Sequence, residues 1–491
     1  MPACYLGLDV GTTAVKAALV DGDERVLAVA AAPSPQGPDG CVAQAAYLDA
    51  AAEVFRQLAE AHPNAWRAVE GLCVCGQGDG LFPVDRRGAP MQRAYTWQTA
   101  RAAAEAVEIN RIQRAQSGAC CNDAFAGSRL ALLLWLKRED PAAYGAIGLA
   151  LTCVPVLVYM LTGVAASDGS NAGEAFDLLR GAYAAAVYDA CGMADALPLL
   201  PKILPADGIA GRVTAKAAAR FGLPAGLPVS VGCLDVTAAA LGMGLPGCNA
   251  GIVLGTSLSV STYRDAPLPP VAGAFTDLVP FSRPRWRTTL SACAGMGAQD
   301  YVQRLLYPDA SYDTISRLAA GEPARADGPL FLPYLHGERA PFSAARATGT
   351  FLGLRPGDGA AALLRAAMEG VAFAARHCAA QLPGKSKSKS GNGNGPVVLS
   401  GGGARSAALC GILADVLQRP VVPCREECGA IGCVRLMKAA LGQPAAAEAR
   451  EAETEKAVLP NGALAAVYDQ KYARFLRATE ALRPFWAQEQ G

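Results

Sequence analysis

The chain has 491 residues, 52% of them hydrophobic and 18% charged, and 44 basic side chains face 43 acidic ones. That length predicts roughly two to four domains with large cores. A net charge of +1 excludes the basic field of a nucleic-acid or membrane-surface protein and leaves metabolite chemistry.

Sixteen cysteines carry no CxxC pair, so they read as core thiols in a reducing cytoplasm. The cluster Cys424, Cys428 and Cys433 reads the same way, since only three histidines exist and none is near in sequence. Met1-Pro-Ala-Cys4 has neither the basic start nor the apolar run of a signal peptide.

In chain order, Tyr5-Leu-Gly-Leu-Asp9-Val-Gly11-Thr12-Thr13-Ala-Val-Lys16 predicts strand, sharp turn and strand. Gly11 permits a backbone that offers N–H groups to an anion, and Thr12 and Thr13 add hydroxyls. Asp9 is an oxygen ligand suited to a hydrated Mg²⁺. The turn therefore reads as a phosphate grip in a hairpin, with an ordinary Asp/Gly/Thr hairpin as the alternative. A strand over 25–29, a Pro/Gly loop at 33–40 and a helix over about 45–61 follow. Leu72-Cys-Val-Cys75 predicts a buried strand that ends in Gly76-Gln77-Gly78-Asp79-Gly80, where Gln77 and Asp79 would meet hydroxyl groups in a cleft; a simple tight turn is the alternative.

Residues 81–101 predict a strand, a turn at 85–88 and a return to Trp97. A helix over 130–138 places Trp135 in a core. The uncharged run 141–167 predicts a buried helix pair, with a membrane span as the alternative. A helical region then continues to about 200, and loops run on to 228.

At Pro228-Val-Ser-Val-Gly-Cys-Leu-Asp235 a buried strand meets a small-residue helix, and Asp235 stands there as a lone acid. An acid in that setting is solvated by a cleft, functional, or a helix cap. Gly251-Ile-Val-Leu-Gly255-Thr256-Ser257 repeats the opening strand and Gly-hydroxyl turn, and two such turns would grip a polyphosphate from both sides. Val397-Val-Leu-Ser-Gly401-Gly402-Gly403-Ala404-Arg-Ser406 stops a strand in glycines before a helix over 407–417, an arrangement suited to a nucleotide. Residues 384–395 are a low-complexity insertion.

Taken in order, these stretches resemble the FGGY family of carbohydrate kinases, of the actin/Hsp70/hexokinase-type ATPase superfamily, over about residues 5 to 480. Further pieces that match are Phe331-Leu-Pro-Tyr-Leu-His-Gly337-Glu338-Arg339, Gly349-Thr-Phe351-Leu-Gly353, Arg365-Ala-Ala-Met-Glu369-Gly370 and Ala414-Asp415-Val-Leu. The resemblance implies an α/β fold of two actin-like (ribonuclease-H-like) domains flanking a central cleft. Residues 1–246 would carry the sugar site, the first phosphate turn and the catalytic Asp. Residues 247–491 would carry the second phosphate turn and the adenosine site.

It further implies an ATP- and Mg²⁺-dependent kinase acting on a small sugar, most often a pentulose such as xylulose, or else on a polyol such as erythritol or glycerol. Asp235 would be the general base and Asp9 the Mg²⁺ ligand. Thr12, Thr13, Lys16, Gly255 and Thr256 would hold phosphates, Gly402, Gly403 and Ser406 the adenosine, and Gln77, Asp79 and Trp97 the sugar. A cytoplasmic homodimer without nucleic-acid or membrane partners goes with that reading.

Three departures fall on the sugar side. Thr99 stands where relatives commonly carry the acid of Trp-x-Asp-x-Arg, and Val154-Pro155 replace a Lys-Asp pair. Gln77-Gly78-Asp79-Gly80 looks more like kinases of L-xylulose or erythritol than like many xylulose kinases. These changes keep a non-catalytic sensor of the same fold as the second reading.

Overall fold

The computed structural model describes residues 3–116, 120–244, 250–268, 271, 273–280, 284–382, 395–424, 427–443 and 457–488. They group into two compact units. One comprises Met1–Gly244, Asp277–Pro284 and Glu427–Ala447; the other comprises Leu245–Thr276, Arg285–Glu426 and Glu448–Gly491. The boundary expected between 246 and 247 lies outside the described residues. So does the insertion at 384–395, apart from its last residue.

The first unit is built on a sheet whose central strand is β1 (Cys4–Val10), buried along nearly its whole length. A strand covered on both faces needs the continuous apolar run that Tyr5, Leu6 and Leu8 supply. It pairs antiparallel with β2 (Ala14–Asp21), which pairs antiparallel with β3 (Val26–Pro33). On its other side β1 runs parallel to β4 (Val69–Gly76). The sheet continues through β5 (Ile209–Arg212) and β6 (Pro228–Ser230), with β7 (Cys233–Leu234) also paired to β4. Helix α1 (Gln44–Ala61) buries Tyr47, Leu48, Val54, Phe55 and Leu58, the face its 3.6-residue period predicts.

The second unit repeats the pattern. Strands β8 (Ala250–Leu254), β9 (Leu258–Arg264) and β11 (Arg285–Ala292) form the antiparallel run, with β10 (Ala274–Val279) outside β11. Strands β12 (Val397–Ser400) and β13 (Val421–Pro423) continue it in parallel from β8. In both sheets the first two strands pair antiparallel and parallel strands are added beyond the first, but in the second sheet the strand laid beside the second is the fourth, β11, with the third, β10, outside it. The second core is tied by buried Glu369 of α6 (Ala360–Gln381), which accepts from Arg365 Nε at 2.9 Å and from Lys471 Nζ.

Two expectations for the chain between these strands fail. The uncharged run is not a helix pair. It forms a helix over Pro141–Ala146, a strand over Ile147–Leu151 and a helix, α3, over Cys153–Thr162. Residues 147–151 pair with Phe82–Asp85, so an available strand edge overrides the helix preference of an Ala/Leu-rich stretch. No helix among the described residues is long and apolar enough to cross a membrane. The loops expected before 228 contain β5 and a helix over Ala215–Phe221. Thr214 caps that helix by accepting from the Ala217 N–H, and Gly222 at φ +66° ends it; both signals stand in the sequence.

Helix α4 (Asp235–Met243) begins on the lone aspartate. Helix α8 (Cys428–Ala440) packs against it within the first unit, through glycines that admit no side chain. A Cβ on Gly432 would lie 1.8 Å from the Ala238 carbonyl oxygen, and one on Gly242 1.8 Å from that of Cys428. Arg435 of α8 donates to Glu24 and to the Leu241 carbonyl, and Lys438 donates to the Gly22 carbonyl at 2.9 Å.

Candidate active site

In the first unit the hairpin turn, the end of β4 and the start of α4 converge. Asp9 is the last residue but one of β1 and pairs across the hairpin with Lys16. The turn holds itself by its carbonyls. The Gly11 carbonyl accepts from Ser34 Oγ at 2.6 Å, that of Thr12 from Gln36 Nε2 at 2.8 Å, and that of Thr13 from the Ser34 N–H at 3.0 Å. The amides of Thr12 and Thr13 have no acceptor among the described residues, the state in which a turn is ready for an anion.

The carboxyl of Asp9 is pushed up to about 7, first by burial and then by the charge of Asp235, with Lys16 opposing and Glu427 adding to the rise. Its Oδ1 is buried without a hydrogen-bond partner among the described residues. Strand register brings the two acids to the same end of the sheet, since β1 and β7 both pair with Cys75 and Gly76 at the end of β4, and a cation is what a carboxylate raised by a second one favours. No group of three or more His, Cys, Asp or Glu among the described residues forms a metal site by itself. Mg²⁺ takes one or two carboxylates and completes its shell with water and phosphate oxygens. Glu427, the residue before α8, is the neighbour that local sequence could not reveal, since some 400 positions separate it from Asp9.

Asp235 is the first residue of α4, and Leu234 occupies the cap position, so the helix-cap alternative does not hold. Its carboxylate is partly exposed and accepts from the Val236 N–H at 2.6 Å. Two residues on, Thr237 donates to buried Asp277 at 2.7 Å.

The sugar-side candidates lie in the same unit. Trp97 Nε1 donates to Thr12 Oγ1 at 2.9 Å, which joins the phosphate turn to the Trp97 loop directly. Gln77 is buried, and its Nε2 donates to Tyr47 OH at 2.9 Å. Asp79 holds φ +54°. Thr99 is buried, and Val154 and Pro155 lie in the first turn of α3, both buried.

Burial, aided by Glu174 and opposed by Arg129, lifts the Asp79 carboxyl from 3.8 to about 7. A raised carboxyl binds a proton in the folded state that the unfolded chain has released. The cost of its charge is therefore absent near pH 4 and grows as pH rises through 7. Asp79→Asn, which never ionises, is expected to match the native protein in stability near pH 4 and to exceed it by roughly 2 kcal/mol at pH 8. Thermal melts at both pH values measure this, and an advantage that does not change with pH would remove Asp79 as a buried charge.

In the second unit Gly255, Thr256 and Ser257 form the turn between β8 and β9, and Thr256 is exposed. Its carbonyls are again engaged, here by the start of α5 (Met296–Leu306). The Met296 N–H donates to Gly255 at 2.8 Å and the Gly297 N–H to Thr256 at 3.2 Å. The glycines after β12 lie beside this turn. A Cβ on Gly401 would lie 2.6 Å from the Leu254 carbonyl oxygen, and one on Gly403 2.6 Å from the Leu254 side chain, while Gly402 faces open space. Ser406 caps α7 (Ala407–Leu417), accepting from the Leu409 N–H.

Both halves of the chain match known proteins. Residues 4–242 match the N-terminal domain of the FGGY family of carbohydrate kinases, and residues 250–441 match its C-terminal domain. An erythritol kinase from Brucella abortus is 30% identical, covering 98% of this chain and 96% of that protein. An L-xylulose/3-keto-L-gulonate kinase from Escherichia coli is 28% identical over 99% of both. The crystal structure of a xyloylose kinase from Brucella ovis superposes with a TM-score of 0.83 at 28% identity, covering 98% of this chain and all of that one.

Proposed function

The chain belongs to the FGGY family of carbohydrate kinases and is an ATP-dependent sugar kinase, and we propose that its acceptor is a small ketose or polyol, with a pentulose such as xylulose first. The observation that supports the site is that strand register brings Asp9 and Asp235 to one end of the sheet, beside a hydroxyl turn whose Thr12 and Thr13 amides have no acceptor among the described residues. In this reading residues 1–246 supply the sugar site, the first phosphate turn and the base. Residues 247–491 supply the second turn and the adenosine site. The thiol-rich composition suits a reducing cytoplasm.

Asp235 takes the proton from the acceptor hydroxyl as its oxygen attacks the γ-phosphorus of ATP, and ADP leaves with the broken bond's electrons. Thr12, Thr13, Lys16, Gly255 and Thr256 hold the phosphates in line, while Gly402, Gly403 and Ser406 flank the adenosine. Gln77, Asp79 and Trp97 orient the acceptor. Asp9 would hold Mg²⁺, which when bound neutralises charge on the phosphate oxygens. Positioning and charge compensation are most of what phosphoryl transfer asks of a protein.

The relative named as an erythritol kinase favours a second acceptor, a four-carbon polyol. ADP release measured over D- and L-xylulose, L-ribulose, erythritol and glycerol decides between them. A kcat/KM above about 10⁴ M⁻¹s⁻¹ on one ketopentose is expected. A maximum on erythritol moves the assignment to the polyol, and silence on every acceptor overturns the substrate class.

A further inference from the structure

Two residues outside the first phosphate turn decide where its amides point. A trans peptide is one rigid plane, with the carbonyl of one residue and the N–H of the next on opposite edges. Whatever holds the carbonyl therefore aims the following N–H the other way. Ser34 Oγ holds the Gly11 carbonyl at 2.6 Å, which aims the Thr12 N–H. Gln36 Nε2 holds the Thr12 carbonyl at 2.8 Å, which aims the Thr13 N–H. The Ser34 N–H takes the Thr13 carbonyl at 3.0 Å, carrying the β2–β3 ladder one step past Ala14 and Pro33. The Gly11 N–H closes on the Ala14 carbonyl at 3.1 Å. What the turn leaves to an anion is the pair of amides that Ser34 and Gln36 aim.

Both residues stand on a strap tied at its two ends. Ser34 directly follows β3 and is 5% exposed, while Gln36 is exposed. At the other end the Gly40 carbonyl accepts from the Thr96 N–H at 2.8 Å and from Thr96 Oγ1 at 3.2 Å. Residues 41–43 then pair with Arg93–Tyr95. Trp97, next to Thr96, donates to Thr12 Oγ1 at 2.9 Å. It is packed against Gly127, two residues before α2 (Arg129–Glu139), where a Cβ would lie 2.2 Å from the Trp97 carbonyl oxygen. A short segment fixed in this way has little freedom left to lose, so the amides are aimed before a ligand arrives. In the second unit the corresponding carbonyls, those of Gly255 and Thr256, are held by the N–H groups of Met296 and Gly297. Only in the first unit is the clamp made by side chains, which substitution can remove.

We infer that Ser34 and Gln36 are positioning residues for the nucleotide, Ser34 aiming the Thr12 amide and Gln36 the Thr13 amide at the polyphosphate of ATP. This rests on the reading of the turn as a phosphate grip above. Without the Ser34 hydroxyl the Gly11–Thr12 peptide is free to rotate, and an N–H that swings off a phosphate oxygen loses a charge-assisted bond. Adenosine, which lacks the phosphates, has no share in that bond.

The test is calorimetric titration of the full-length protein with ATP and Mg²⁺, with tripolyphosphate and Mg²⁺, and with adenosine, alongside steady-state ADP release. Ser34→Ala is expected to weaken ATP and tripolyphosphate about tenfold, with adenosine affinity and acceptor KM within about twofold of native. Ser34→Thr keeps the hydroxyl and should recover most of the loss. Gln36→Met alters an exposed side chain, so the fold is not at risk, and it should weaken the same two ligands about threefold.

Unchanged affinity for ATP and tripolyphosphate in both variants overturns the inference. So does a loss shared equally by adenosine and the acceptor, which marks general loosening. The titrations need no turnover, so a native protein that binds ATP yet phosphorylates no acceptor overturns the acceptor reading and leaves the inference standing. If the native protein binds ATP no more tightly than adenosine, the phosphate grip and the inference fall together.

Discussion

Asp235→Asn is expected to lower kcat by about 10²- to 10⁴-fold while ATP affinity stays within about twofold. The amide has nearly the same shape, so α4 starts as before and the Val236 N–H keeps an oxygen to donate to. What is lost is basicity. The acceptor hydroxyl must shed its proton as its oxygen bonds to phosphorus, and a side-chain amide cannot take it. A second consequence follows from the coupling to Asp9, where Asp235 is, after burial, the next cause holding that carboxyl up. With the neighbouring charge gone, Asp9 stays ionised to lower pH, so binding of ATP with Mg²⁺ should weaken less on acidification than in the native protein. Steady-state ADP release gives kcat, and calorimetric titration at pH 6 and pH 8 gives the affinities. Turnover near the native value would remove Asp235 from the chemistry.

The parts of this site that the sequence discloses are those made by neighbours in the chain. The hairpin around Gly11 and the turn at Gly255 are local bends between apolar runs, and the glycines after Ser400 stop a strand before a helix. In each case composition and order carry the backbone geometry. Asp235 is legible for a different reason, since an acid among so many small apolar residues calls for an explanation. Arg129 and Glu174 have no such signal. Arg129 stands in a Leu-rich helix and Glu174 in a short loop, and only packing lets their charges act on Asp79. The strand at 147–151 is hidden likewise, because its cause is the edge of Phe82–Asp85 some 60 positions away. Helix α8 is the longest-range case. Nothing near residue 428 shows that its partners are β1 and α4.

That long-range packing makes Gly432→Val the substitution with the largest expected effect on stability. The α4–α8 contact is one of backbone on backbone, with no room for a Cβ 1.8 Å from the Ala238 carbonyl oxygen and 2.6 Å from its carbon. No rotamer relieves such a clash, because the first side-chain atom makes it. The helices must separate, which opens gaps along Ile431, Leu436 and Met437, all buried, and strains the bonds from Arg435 to Glu24 and Leu241. Overpacking of this kind costs about 3 kcal/mol or more, and the first unit should melt roughly 6–12 °C lower. Activity should fall further than stability alone requires, because α4 carries Asp235 at its first residue while Gly429 of α8 lies beside the Asp9 carboxylate. Gly411 is the matched control. It is also a helical glycine, in α7, but a Cβ there meets nothing within 4 Å, so Gly411→Ala should gain about 0.5–1 kcal/mol from helix propensity. Melting curves of the two variants separate close packing from a general intolerance of side chains. If Gly432→Val melts with the native protein, the helices can part without cost, and the close contact is not what holds the two carboxylates together.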